Sequence, residues 1–84
     1  MKTSVVVYSR RGCHLCENAE SVVEKVREEH DFELEIIYVD GDPSLEKVYG
    51  EEVPVTLING RRHDYFRIDA LRFRTAILLA NSNT

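Results

Sequence analysis

Gly12-Cys13-His14-Leu15-Cys16 stands where a strand-like pattern gives way to a helical one. Residues 3–8 before it are mainly β-branched, with no polar alternation, as in a strand covered on both faces. This stretch holds both cysteines of the 84-residue chain. Two cysteines at this spacing, between a strand and a helix, indicate a dithiol redox site.

The position of the two sulfurs assigns them different roles. Backbone N–H groups in the first turn of a helix have no intrahelical partner, and their dipoles favour an anion there. A thiolate at Cys13 is therefore stabilised, and Arg10 and Arg11 add positive potential in front of it. We expect Cys13 to attack a disulfide and Cys16, one turn further, to displace the product.

The first half of the chain predicts a strand–helix–strand unit. Leu15, Ala19, Val22, Val23 and Val26 share one face of a helix, with glutamates opposite. Residues 32–39 form a second apolar run, which should be a strand parallel to the first, with a right-handed crossover.

The second half predicts a short helix, a hairpin and a final helix. Asp42 can cap the short helix, and Gly50 suits a left-handed turn at its end. Strands over residues 53–58 and 61–66 flank Asn59-Gly60, a strong hairpin signal. Asp69 can cap the last helix, which should be broadly apolar through Leu71, Ile77, Leu78 and Leu79, and residues 81–84 should fray.

The resulting order, β-α-β-α-β-β-α, resembles a thioredoxin fold in its small, glutaredoxin-like form: an α/β protein with a four-stranded mixed sheet flanked by helices. The resemblance rests on Cys13-x-x-Cys16 after a strand and on Val53-Pro54 before the third strand. It implies a cis peptide at Pro54, facing the cysteines, and substrate binding at Val53 and Pro54. A cis bond costs little before proline.

The chain is most similar to glutaredoxin-like proteins with Cys-His-Leu-Cys-type motifs. Dithiol glutaredoxins usually carry Pro-Tyr between the cysteines, where this chain has His14-Leu15. They also grip glutathione with a Gly-Gly pair followed by Asp. Asp69 could match that Asp, but residues 64–68 contain no glycine.

Composition predicts one domain, spanning residues 1–84, in a reducing cytoplasm. The chain has no apolar stretch long enough to cross a membrane, no secretory signal, and too few cysteines for a disulfide scaffold. A net charge of −4 argues against nucleic acid. Residues 57–84 nonetheless carry five arginines against two aspartates, which are either a solvated face or, with Arg10 and Arg11, an attraction for an acidic partner.

Several residues have alternative interpretations. The cysteines could be buried apolar side chains, or could bind zinc with His14 and His63. His14 could instead tune the thiolate or simply be exposed. Tyr8 could line the site or fill the core.

From these observations we expect a monomeric thiol–disulfide oxidoreductase without a bound cofactor or metal. Its substrate would be a protein or small-molecule disulfide, and its electrons would come from glutathione or a thioredoxin-reductase-type donor. Gly12, the residue before the nucleophile, completes the predicted site. The rival hypotheses are a non-enzymatic redox-sensing or metal-holding module on the same fold, and a cluster-binding glutaredoxin.

Overall fold

A computed structural model describes residues 2–82 as three helices and one four-stranded sheet. The helices and strands follow one another in the order that the sequence predicts. Their bounds are β1 Ser4–Ser9, α1 His14–Glu29, β2 Glu33–Tyr38, α2 Pro43–Tyr49, β3 Val55–Ile58, β4 Arg61–Tyr65 and α3 Ala70–Ser82.

The sheet has the strand order β2-β1-β3-β4. β1 pairs with β2 in parallel, with Val7 opposite Ile36, and with β3 antiparallel, with Tyr8 opposite Val55. The last two strands form the predicted hairpin, in which Asn59 and Gly60 both have positive φ. Because β1 is central, its C-terminal end lies between the ends of both neighbours.

The core lies between the sheet and helices α1 and α3. Phe32 and Phe73 meet edge to face within it, with ring centroids 5.9 Å apart. The partly buried residues Leu34, Ile36, Ile58 and Ile68 pack around this centre. Its fully buried members are Val5, Val7, Val23, Val26, Phe32, Phe73 and Ile77.

Helix α1 presents a slightly different face from the predicted one. Its buried residues are Cys16, Ala19, Val23 and Val26, whereas Leu15 is 44% exposed. Placing Leu15 in the buried stripe was therefore wrong. The buried stripe begins with the sulfur of Cys16, three residues before Ala19, which is a normal helical spacing.

The shorter helices confirm their predicted start signals. The carboxylate of Asp42 accepts from the backbone N–H groups of Ser44 and Leu45, and that of Asp69 accepts from Arg72. Helix α3 buries Phe73 and Ile77 and leaves Leu71, Leu78 and Leu79 exposed, so part of its apolar surface lies outside the core.

The end of α3 differs from its prediction. Asn81 and Ser82 belong to the helix, and Asn81 donates from its amide to the carbonyl of Asp31 at 3.1 Å. This contact extends the helix through residues that were expected to fray, while residues 83–84 lie outside the described part. Over residues 2–82, no helix combines the length and apolar character needed to cross a membrane.

Candidate functional site

The cysteines lie at the start of α1, just after the turn that follows β1. Gly12 has φ +74°, a left-handed conformation that suits glycine, and it turns the chain into the helix. Cys13 is the extended N-cap residue, and its carbonyl accepts the first helical hydrogen bond from Glu17 at 3.0 Å. The strand-to-helix turn thus fixes Cys13 at the open end of α1.

The sulfur of Cys13 accepts a hydrogen bond from a helical N–H group. The backbone nitrogen of Cys16 lies 3.2 Å from Cys13 Sγ, and the Cys13 side chain is partly exposed. A helix N-terminus stabilises negative charge on a group that occupies this position. Cys13 therefore combines access to solvent with a donor aimed at its sulfur.

Cys16 has the opposite environment. It is fully buried, and the pKa of its thiol is raised to about 11, first by burial and then by its hydrogen bond with Cys13. Hydrogen bonding by the Ser9 side chain and the Arg10 backbone lowers the pKa of this thiol and so opposes part of the rise. The two sulfurs thus differ sharply in access, and both are free thiols in this structure.

A serine and a glutamate behind Cys16 were not predicted as site residues. Ser9 is fully buried at the end of β1, and its hydroxyl donates to Glu20 Oε2 at 2.6 Å. Glu20 is partly exposed on α1, four residues after Cys16. Sequence spacing does place Glu20 one turn beyond Cys16, but the charge pattern assigns it to the solvated face of the helix.

Arg10 contacts α2. Its guanidinium lies 2.7 Å from Glu46 Oε1 and donates to the Gly50 carbonyl at 3.2 Å. Arg10 therefore connects the turn before Cys13 to the end of α2.

Gly50 allows this close approach. It was expected to be left-handed, which is wrong: its φ is −53° and its ψ is −35°. A Cβ at this position would collide with the Glu46 carbonyl oxygen and lie 3.1 Å from Arg10 Nη2. The glycine is therefore needed for space rather than for a turn.

Arg11 contacts the end of β2. Its backbone N–H donates to Asp40 Oδ2 at 3.0 Å, and its guanidinium lies 4.4 Å from the centre of the Tyr38 ring. Asp40 follows β2, so the end of that strand holds the turn that leads to Cys13. Arg11 acts here mainly through its backbone.

His14 is exposed, and Tyr8 packs against α2. The side chain of His14 is 97% exposed, 3.8 Å from Glu17. Tyr8 stacks on Tyr49, with ring centroids 4.0 Å apart, and burial and the nearby Tyr49 raise its pKa. Tyr8 thus fills the space between the sheet and α2.

The Val53–Pro54 peptide is cis, as the sequence resemblance implied. Tyr8 pairs with Val55, so Pro54 lies beside the end of β1, from which the cysteine turn departs. Pro54 is buried and Val53 partly exposed. The topology therefore brings the proline to the same edge of the sheet as the dithiol.

Phe66 marks a second unpredicted feature near this proline. Its N–H donates to the Pro54 carbonyl at 2.9 Å, its φ is +66°, and its side chain is 46% exposed. Bulky residues seldom adopt this conformation. Next to it, Leu15, Asn18, Ala19, Val22, Arg67 and Ile68 line a shallow groove of about 210 Å³.

His63 is partly buried against α3. Its ring packs against Phe73 with centroids 5.8 Å apart, and its pKa is lowered by burial and by the charge of Arg72, with Asp64 opposing. Within residues 2–82, no three His, Cys, Asp or Glu side chains are grouped as a metal site would need. The zinc set that the sequence left open is therefore not assembled.

Comparison with known proteins supports the same picture. The profile of the glutaredoxin-like domain family (DUF836) matches residues 4–78. The uncharacterised Mycobacterium bovis protein Mb0520 is 31% identical over 81 residues, an alignment that covers 90% of this chain and 84% of that protein.

Solved structures share the fold. The X-ray structure of protein XcR50 from X. campestris is 32% identical, with a TM-score of 0.75 over 89% of this chain and 96% of that one. Ne2328 from Nitrosomonas europaea is 29% identical, again at 0.75, over 90% and 92%. A mutant thioredoxin from Halobacterium salinarum, 23% identical over 90% and 72%, gives 0.68. The fold is therefore thioredoxin-like.

Proposed function

This chain belongs to the glutaredoxin-like domain family, and we propose that it is a thiol–disulfide oxidoreductase with Cys13 as nucleophile and Cys16 as resolving thiol. One observation carries the proposal. Cys13 is accessible, and its sulfur accepts a hydrogen bond from the backbone N–H of Cys16 at the start of α1, while the side chain of Cys16 is fully buried. An exposed attacking sulfur with a second thiol behind it is what dithiol exchange requires.

The reaction proceeds in two exchanges. The Cys13 thiolate attacks a substrate disulfide, forms a mixed disulfide and releases the first substrate thiolate. Cys16 then attacks Cys13 Sγ, breaks the mixed disulfide and releases the second substrate thiolate. The substrate gains the two electrons that the dithiol loses, and glutathione or a thioredoxin-reductase-type donor returns them.

Substrate binding is proposed at Val53 and Pro54. Pro54 reaches the same sheet edge as the dithiol, and Val53 is partly exposed beside it. The substrate is a protein or small-molecule disulfide, and no bound cofactor takes part. Gly12 shapes the turn, and Arg10 and Arg11 hold it against α2 and the end of β2.

We also propose a monomer that works in a reducing cytoplasm. Both cysteines of the chain belong to the proposed redox pair. An oxidising compartment would therefore not stabilise the fold through a separate structural disulfide. Reducing conditions would keep Cys13 ready to attack.

A steady-state assay tests this function. Wild type, Cys13→Ser and Cys16→Ser are compared in the reduction of hydroxyethyl disulfide, once with glutathione and its reductase and once with thioredoxin reductase. We expect turnover in wild type, with one of the two donors, and none in Cys13→Ser. No turnover with either donor, in wild type that is folded and reduced, would favour the redox-sensing module.

A labelling rate tests the assignment of the nucleophile. We expect iodoacetamide to modify Cys13 faster than Cys16 at neutral pH, because only Cys13 is accessible. Equal rates in the folded protein would contradict the assignment.

A further inference from the structure

The groove of about 210 Å³ follows α1 away from the dithiol. Leu15, which stands between the two cysteines, and Val22, seven residues later, both line it. Seven helical residues span about 10 Å, the length of about three residues of extended chain. The groove can therefore hold the residues next to a cysteine that Cys13 attacks.

The loop between β4 and α3 forms the opposite wall. The N–H of Phe66 donates to the Pro54 carbonyl at 2.9 Å, which fixes this loop beside the cis proline. The N–H of Arg67 donates across Phe66 to the Tyr65 carbonyl at 2.8 Å, and with φ +66° at Phe66 this is a γ-turn of the rare, strained kind. Strained turns persist at binding sites, where they position particular residues. Here the turn brings Arg67 and Ile68 against α1.

Arg67 carries a charge that the protein itself does not use. Its side chain is exposed, and among residues 2–82 its guanidinium has no ion pair or hydrogen-bond partner. Arg62, Arg72 and Arg74, by contrast, each contact a carboxylate. Arg67 can therefore bind the carboxylate of another molecule without breaking an existing contact.

The rest of the groove is mainly apolar. Leu15, Ala19, Val22 and Ile68 line it, and Leu15 is 44% exposed. Covering this surface favours a ligand that brings an apolar side chain. Glutathione has carboxylates but no apolar side chain beside its cysteine, whereas a segment of a protein can offer both.

We propose that this groove selects protein disulfides in which an apolar residue and an acidic residue adjoin the attacked cysteine. This inference rests on the proposed oxidoreductase function and names its substrate class. Leu15, Val22 and Ile68 receive the apolar side chain, and Arg67 binds the carboxylate. The exchange is unchanged: Cys13 Sγ bonds to the substrate sulfur, and the electron pair of the broken disulfide leaves on the other sulfur.

Peptide mixed disulfides measure this preference. Peptides capped at both ends, of sequence Asp-Leu-Cys-Leu-Asp, Lys-Leu-Cys-Leu-Lys and Asp-Ser-Cys-Ser-Asp, are each linked through cysteine to thiopyridine, an uncharged leaving group. Each sequence reads the same in both directions, so the orientation of the bound chain does not matter. Attack by Cys13 on the peptide sulfur releases thiopyridone, whose absorbance gives a second-order rate constant. Mass spectrometry identifies the peptide that stays bound in Cys16→Ser.

We expect wild type to react about tenfold faster with the aspartate–leucine peptide than with the lysine–leucine peptide, because Arg67 attracts one and repels the other. Arg67→Gln should lower this ratio to one or below, and Arg67→Glu should invert it. A faster reaction of Arg67→Glu with the lysine peptide is a gain that misfolding cannot produce. The wild-type ratio should also shrink in 0.5 M salt, at about that concentration, because exposed charges are then screened.

The apolar part has its own comparison. Wild type should react about fivefold faster with the aspartate–leucine peptide than with the aspartate–serine peptide. Leu15→Ala should reduce this ratio while keeping the preference for aspartate over lysine. Leu71→Ala is the matched control, because Leu71 is 70% exposed on α3 and does not line the groove.

Arg61→Gln is the control for charge, because it removes an exposed arginine that does not line the groove. If Arg67→Gln keeps the wild-type preference, or if Arg61→Gln loses it equally, selection of acidic substrates is refuted. If the thiopyridyl disulfide of glutathione reacts as fast as the aspartate–leucine peptide and depends equally on Arg67, the choice of a protein substrate is refuted. Release no faster than in Cys13→Ser, with every peptide, would refute the oxidoreductase function instead.

Discussion

The guanidinium of Arg10 donates to the carbonyl oxygen of Gly50 at 3.2 Å, joining positions 40 residues apart. Arg10 lies three residues before Cys13, and Gly50 ends α2. The same guanidinium contacts the Glu46 carboxylate at 2.7 Å. The turn that leads to Cys13 is therefore attached to α2, which is distant in the sequence.

Gly50→Ala should destabilise the protein by about 1–3 kcal/mol, because the added methyl group collides with the Glu46 carbonyl and crowds Arg10. Urea denaturation measures the loss. Lys47→Ala, at an exposed position on the same helix, should change the free energy of unfolding by less than about 0.5 kcal/mol. Equal effects of the two changes would mean that the space at Gly50 is unimportant.

Labelling of Cys16 should depend steeply on pH. Its pKa is raised to about 11, so its thiolate fraction grows about tenfold per unit between about pH 7 and about pH 10. Mass spectrometry of the iodoacetamide-treated folded protein gives the rate at each pH. Labelling in urea, where burial is lost, is the control and should be much faster near neutral pH. A flat profile in the folded protein would contradict the raised pKa.

His63 should make folding less favourable in mild acid. Its pKa is lowered in the folded protein, so the unfolded chain binds this proton more tightly. Stability therefore falls as pH drops below about 6.5, the ordinary histidine value, and on through the lowered pKa. Urea unfolding should show a steeper fall for wild type than for His63→Leu, whereas His14→Gln, at a 97% exposed side chain, should follow wild type.

Phe66→Gly should be more stable than Phe66→Ala by about 0.5–1 kcal/mol. Both variants lose the ring, so the difference isolates the backbone. A left-handed conformation at φ +66° costs alanine about 1–2 kcal/mol, and the extra freedom of glycine when unfolded offsets part of that. Urea denaturation of the pair measures it, and an alanine variant that is equally stable would show that the loop changes its backbone.

Local sequence signals predicted most of the fold. Asn59-Gly60 determined the hairpin, and Asp42 and Asp69 marked the starts of two helices, because each depends only on near neighbours. The location of Cys13 at the start of α1 was predicted from its position between a strand pattern and a helical one. The cis peptide at Pro54 came from the family resemblance.

The contacts between distant residues were the ones that sequence patterns missed. The partner of Ser9 lies 11 residues away on another element, and that of Arg10 lies 40 residues away. Charge patterns alone therefore did not predict the hydrogen-bond partners of Arg10 and Glu20. Leu15 was misplaced because the periodicity was read from apolar residues alone, and the buried stripe begins with Cys16.

The stripe that begins with Cys16 and continues through Ala19 and Val23 determines the rotation of α1 about its own axis. Successive residues on a helix are offset by about 100°, so a turn of one position would move Cys16 out of the interior. Substitutions at Ala19 or Val23 would therefore change the burial of Cys16 without touching either sulfur.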